Sequence, residues 1–144
     1  ALYDYENAPE VYELFLEVEE PTAKMLAYRG ALEAIMTKTT WNILKKISYL
    51  RKSEASFAKA VEMEPENLEV RFMRMAVQYE IPEYLGFSEN MEEDRQFIVE
   101  HISEFNSAGI STETLKQIYG FMIKCERFTD TQIEIFKGYL ALKG

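Results

Sequence analysis

Cysteine, histidine and tryptophan each occur once in 144 residues, as Cys125, His101 and Trp41, and the chain has only four prolines and six glycines. One cysteine closes no internal disulfide and supplies no cysteine-rich zinc site. One histidine, without an HxxxH or HExxH partner, makes no histidine metal motif. Charged residues break every hydrophobic stretch well short of the roughly 18 apolar residues that a membrane span needs, so a soluble chain without a span is expected. Gly-rich phosphate loops, G-x-S-x-G elbows and dinucleotide fingerprints are missing as well, so no catalytic residue, cofactor or metal is assigned.

The chain does contain apolar material, at 47% of residues, which excludes a disordered chain of low hydrophobicity. Its 16 basic and 25 acidic residues give a net charge of −9. Apolar residues recur at intervals of three and four with almost no strict alternation, so the expected fold is all-α. Pro9 opens a first helix over about 8–19, and Pro21 a second reaching Met36. Met25, Tyr28, Leu32 and Ile35 form the predicted core face of that second helix.

Thr39 or Thr40 is the expected cap of a long third helix to Glu64, with Ile43, Ile47, Leu50, Phe57 and Val61 as its buried stripe. A fourth helix over about 66–79 is apolar on two faces, Leu68/Phe72/Met75/Tyr79 and Val70/Met73/Val77, so it should be sandwiched. Pro82 and Gly86 place a loop over 80–89. A capping box of Asn90 and Glu93 then starts a fifth helix with Met91, Ile98, Ile102 and Phe105 in its core stripe. Ser111 caps a sixth helix to about Cys125, a buried structural thiol, and Thr129 with Gln132 starts a seventh to about Leu142. His101 reads as a partly exposed helix histidine, and Glu89, Glu92, Glu93 and Asp94 as acids favoured near a helix start.

Pro21, Pro65 and Ile110 stand 44 and 45 residues apart, which points to a degenerate repeat of helix hairpins over about 21–64, 66–105 and 111–143, with the first helix as a cap. One domain of about seven helices over 1–144 is expected. The run ASFAKAVEMEPEN, with Phe57, Ala60 and Pro65 at their spacing, resembles the second helix and closing proline of a tetratricopeptide repeat. Ser53 fills the family's small position, whereas its first-helix Trp-Leu-Gly-Tyr pattern is laid on only by shifting the register, and the period exceeds the usual 34 or so. TAKMLAYRGALEAIMTK, Trp41, EPENLEVRF and EYLGF, in that order, are similar to an uncharacterised bacterial family of tetratricopeptide-like proteins. The resemblance implies a right-handed helical stack and a binding habit, and no reaction. A chain beginning at Ala1 is compatible with an exported, periplasmic protein or a cytoplasmic one, and the compartment is left open.

Asn67, Arg71, Arg74 and Gln78 recur at 4, 3 and 4, a polar stripe on an otherwise apolar helix. Two readings compete: a carboxylate clamp on the inner surface of the stack, or internal pairing with Glu54, Glu62 or Glu100. Shifted back by 44, the stripe becomes Ala23, Ala27, Gly30 and Ala34, a seam where the first helix is expected to pack. Residues 38–59 carry six bases against Glu54 alone, with Trp41, Tyr49 and Phe57 interleaved. That rod suits nucleic acid, but a net −9 repels a polyanion and favours pairing with acidic flanks.

The expected function is a non-enzymatic protein-interaction module. Its partner is a protein or peptide, acidic or with a C-terminal carboxylate, bound through Asn67, Arg71, Arg74, Gln78 and Trp41, and its oligomeric state is undetermined. The alternatives are a small-ligand carrier or enzyme with a pocket between hairpins, lidded by Tyr84 and Phe87, and then nucleic-acid binding through the third helix.

Overall fold

The computed structural model describes residues 6–101, 104 and 109–143. Among them are seven α-helices and no strand: α1 (Ala8–Leu16), α2 (Ala23–Met36), α3 (Ile43–Met63), α4 (Leu68–Glu80), α5 (Met91–Glu100), α6 (Thr112–Cys125) and α7 (Asp130–Lys143). The expected all-α class is what forms.

Short polar side chains set the starts. Thr22, Asn67 and Ser111 each accept a hydrogen bond from the backbone N–H three residues on, that of Met25 at 3.2 Å, Val70 at 3.1 Å and Thr114 at 3.1 Å. Thr129 and Gln132 exchange reciprocal bonds of 2.9 and 3.1 Å, the expected capping box.

Several boundaries differ from expectation. α1 stops at Leu16, three residues short. α3 is capped by Asn42, which accepts from the N–H groups of Leu44 and Lys45, and not by Thr39 or Thr40. The Thr37 and Thr39 hydroxyls instead donate back to the carbonyls of Ala34 and Met36, closing a 3-10 turn on the end of α2. Asn90 makes no cap bond, because the Gln78 amide engages its side chain. The expected extension of α5 through Ile102 and Phe105 lies outside the described residues. As Pro82 dictates, the chain leaves helical geometry at Ile81, and Gly86 turns it with a positive φ of 78°.

Among the described residues the core divides into three clusters. α1 closes on α2 through Ala8, Tyr12, Leu32 and Met36, with Tyr49 of α3 at the edge. Ala23, Leu26, Ala27 and Ala31 of α2 pack with Phe57 and Ala60 of α3 and Val70 of α4. The larger cluster joins Leu68 and Met75 of α4 to Met91 and Ile98 of α5, Leu115, Ile118 and Met122 of α6, and Phe136 of α7. α4 is thus sandwiched on the two faces its sequence predicts.

The interior of α2 is a correction. Of its predicted core face only Leu32 is fully buried, while Met25, Tyr28 and Ile35 are half-buried. The small-residue seam is filled by α3 and α4 and not by α1, because the Phe57 ring lies against Gly30 where a Cβ would stand 2.8 Å from it. In α3, Leu50 and Phe57 are buried, but Ile43 is exposed because the first turn of the helix projects beyond the core.

The cap residues sit 67 − 22 = 45 and 111 − 67 = 44 apart, and cross-helix ion pairs repeat those intervals. Lys24 meets Glu69 at 3.1 Å, 69 − 24 = 45 residues away. Glu80 meets Lys124 at 2.7 Å and Glu83 meets Arg127 at 2.8 Å, both 44 apart. α2, α4 and α6 therefore contact in sequence, with equivalent positions side by side. Cap alignment makes Thr22, Leu26, Arg29 and Glu33 the counterparts of Asn67, Arg71, Arg74 and Gln78, in place of the alanine-rich set one residue on.

Candidate functional site

Arg71, Arg74 and Gln78 of the polar stripe of α4 are buried and turned toward α5 and its start. Arg74 donates from Nε to Asp94 Oδ2 and from Nη2 to Asp94 Oδ1, each at 2.7 Å, and Nη2 also reaches Glu93 Oε2 at 3.3 Å. Arg71 donates from Nη1 to Glu93 Oε1 at 3.0 Å and Asp94 Oδ1 at 3.2 Å, and from Nε to the Pro65 carbonyl at 3.0 Å. Its guanidinium lies 4.6 Å from the centroid of Phe97. Gln78 donates to Asn90 Oδ1 at 3.2 Å and accepts from the Asn90 backbone N–H at 3.1 Å. Asn67 is half-buried and spends its side-chain oxygen on the cap.

Two guanidinium groups face two carboxylates, so the cluster is balanced in charge. Burial pushes the Asp94 carboxyl above its ordinary value against the pull of Arg74 and Arg71. The hydrogen bond from Arg71 holds the half-exposed Glu93 below its ordinary value. Among the described residues no buried side-chain nitrogen or oxygen lacks a partner. The arginines thus pair internally, with Glu93 and Asp94 and not with Glu54, Glu62 or Glu100, and their guanidinium groups do not line an open groove. The sequence marks Glu93 as a capping-box residue and both Glu93 and Asp94 as dipole-favoured acids, and nothing local marks Arg71 and Arg74 as their partners.

The equivalent layer of the first helix pair is also polar. Buried Glu33 accepts from Tyr12 Oη at 3.0 Å and from Ser56 Oγ, while Arg29 Nε donates to Ser56 Oγ at 3.2 Å. Burial first, and the Glu33 charge next, push the Tyr12 phenol up to about 12. In the third pair the same positions are Ile118 and Met122, packed in one cluster with Phe136.

Trp41 is not part of the arginine cluster. It precedes the Asn42 cap and is 96% exposed, with Lys46 Nζ 5.9 Å from its ring centroid. Ile43 and Leu44 follow, both exposed, Leu44 at 80%. Beyond them the outer face of α3 forms an open depression of about 410 Å³, lined by Leu44, Ile47, Ser48, Arg51, Lys52 and Ala55. Of the aromatics interleaved with the basic residues, Phe57 is buried and Tyr49 half-buried, so Trp41 alone is fully presented. The face offers apolar side chains within a rim of Lys45, Arg51 and Lys52, all exposed.

Tyr84 is exposed and Phe87 half-buried. Their turn is tied to α4 by Ser88 Oγ, which donates to the Gln78 carbonyl at 3.2 Å, and to the end of α6 by Glu83 and Arg127. A second open groove, of about 590 Å³, lies at the α3–α4 turn between Glu64, Glu66, Glu69 and Ile110. His101 stacks on Phe97 at 3.9 Å, and its Nδ1 lies 2.8 Å from the Phe97 carbonyl. Cys125 is buried, and burial pushes its thiol up. No group of three metal-ligating side chains occurs among the described residues, and no described helix is long and apolar enough to cross a membrane.

Compared with protein-family models, curated proteins and solved structures, the chain has no match.

Proposed function

We propose that this chain is a tetratricopeptide-like helical-repeat module that binds a protein or peptide partner through the outer face of α3. The stack is supported by the cap intervals of 45 and 44 and by the ion pairs that repeat them. The observation that carries the binding reading is Trp41, 96% exposed and followed by exposed Ile43 and Leu44, the last of which lines the depression with Arg51 and Lys52. An indole with nearly all of its surface in water gains much from being covered, and exposed apolar groups within a polar rim mark interaction surfaces. The rim chooses the partner's chemistry: apolar anchors flanked by carboxylates, which Arg51 can engage through paired hydrogen bonds. The net −9 of the whole chain opposes an extended polyanion such as nucleic acid more than a compact acidic patch, which only the local basic residues Arg51 and Lys52 attract.

A displayed-peptide selection against the folded chain tests this. The natural chain is expected to enrich sequences with aromatic or aliphatic anchors next to Asp or Glu, and W41A/L44A, altered only at exposed positions, to enrich none of them. Equal enrichment on both proteins refutes the reading.

A further inference from the structure

The outer faces of α1 and α3 carry opposite charge on apolar ground. Residues 6–20 hold six glutamates and no base. On α1, Glu10, Glu13, Leu14 and Glu17 share the face opposite Ala8, Tyr12 and Phe15, which pack toward α2. All four are exposed, Leu14 at 64%. The outer face of α3 is the counterpart, with Leu44 exposed beside Arg51 and Lys52. Tyr49 packs against the cluster of Tyr12, Leu32 and Met36, so α1 and α3 meet at the same end of the molecule.

We infer that this end is a two-fold interface, in which the acidic face of α1 in one copy seats on the basic face of α3 in a second copy. This rests on the reading of α3 as an interaction surface and names a second copy of this chain as its occupant. Two-fold symmetry makes the contact reciprocal, since each copy offers both faces and the pairing forms twice. Doubling matters because a specific interface needs about 1,000 Å² or more of total buried surface, and one pair of short helices covers only part of that. The repulsion between two copies of charge −9 is screened beyond about 8 Å at physiological salt, whereas the α1–α3 attraction acts at contact.

Sedimentation velocity at physiological salt over about 1 to 500 µM, a range that brackets modest affinities, tests the interface. The natural chain should show a concentration-dependent dimer. R51E/K52E and E13K/E17K, each with unchanged helicity by circular dichroism, should each weaken self-association by about tenfold or more, as reversal of complementary charges does. Mixed together, they should associate again, because each then carries the charge the other's face has lost. E89K/E134K makes the same charge change at exposed positions off both faces and should not rescue R51E/K52E. A natural chain that stays monomeric throughout overturns the inference, as does a dimer indifferent to both variants or a mixture no better than the control. A monomer that still selects acidic, apolar peptides through α3 removes the second copy as occupant and leaves the α3 surface standing. A monomer that selects none removes both.

Discussion

Arg74 holds both oxygens of Asp94 at 2.7 Å inside the α4–α5 interface, where the carboxylate is 0% exposed. A buried pair of this kind gains little over an apolar pair of similar volume, but breaking it strands a charge in a medium of low dielectric. Arg74→Ala should therefore cost about 3 to 5 kcal/mol of unfolding free energy, read from urea denaturation. Arg74→Met with Asp94→Leu should cost less than the two single changes combined, because neither partner is left unpaired. The third helix pair already uses that solution, with Ile118 at the equivalent position. An Arg74→Ala protein that melts at the natural temperature would place the guanidinium in solvent and reopen the clamp.

Gly30 tests how tightly α2 and α3 close. A Cβ there would lie 2.8 Å from two carbons of the Phe57 ring, and that ring is fixed among Leu26, Ala27 and Ala60. Gly to Ala in a helix ordinarily gains up to about 1 kcal/mol, while overpacking a filled core costs about 1 to 3 kcal/mol. The clash is expected to win, so Gly30→Ala lowers the melting temperature. Combining it with Phe57→Leu should make the added methyl far less harmful than it is against the aromatic ring. A rise in melting temperature for Gly30→Ala alone contradicts the close approach.

How far the fold was legible depended on the range of each signal. The caps at Ser111 and Thr129, and the break before Pro82, involve neighbours in sequence, and they are found where the residues predict, whereas the caps at Thr22 and Asn67 emerge only in the structure. The cap expected at Thr39 or Thr40 falls to Asn42 because Thr39 bonds backward to α2 and Thr40 accepts from the Asn42 N–H, a competition that residue type alone does not reveal. In the candidate site, the polar stripe of α4 was visible by periodicity, but its direction depended on Glu93 and Asp94 reaching it from α5. Ile43 fits a core stripe by spacing and is exposed because α3 outruns the helices that would cover it. Periodicity tells which residues share a face and leaves open how far along the helix that face is covered.

Tyr12 supplies a pH signature. Its phenol sits at about 12 in the folded chain against an ordinary value of 10.0, because burial and the Glu33 charge both disfavour the phenolate. Between those values the unfolded chain has lost the proton while the folded chain retains it, so the unfolded state binds fewer protons and stability falls as pH rises. The contribution is fully present below about pH 10 and is lost through the window up to about 12. Melting temperatures across that range should fall less steeply for Tyr12→Phe than for the natural chain. At neutral pH the same variant should be less stable by about 1 to 3 kcal/mol, since buried Glu33 loses a hydrogen-bond donor. Parallel alkaline profiles for the two proteins refute the assignment.

Asn67 belongs to the predicted binding stripe and also caps α4, and one pair of substitutions separates the two roles. Its side-chain oxygen accepts from the Val70 N–H at 3.1 Å, in the place that Thr22 and Ser111 occupy on α2 and α6. Ala provides no acceptor, so Asn67→Ala should lower stability by about 1 kcal/mol, within the 0.5 to 2 kcal/mol span of such caps. Asp caps as well as Asn, and its charge is favourable at a helix N-terminus, so Asn67→Asp should retain or slightly raise the melting temperature. A residue that contacts an acidic partner behaves differently: Asp there repels the partner's carboxylates even though the fold is intact. Chemical denaturation and the peptide selection, run on both variants, therefore give a two-way readout. If capping is the whole role, Asn67→Asp preserves both stability and the selected peptides. If Asn67 touches the partner, Asn67→Asp keeps stability and loses the peptides, and the binding surface then extends from α3 to the start of α4.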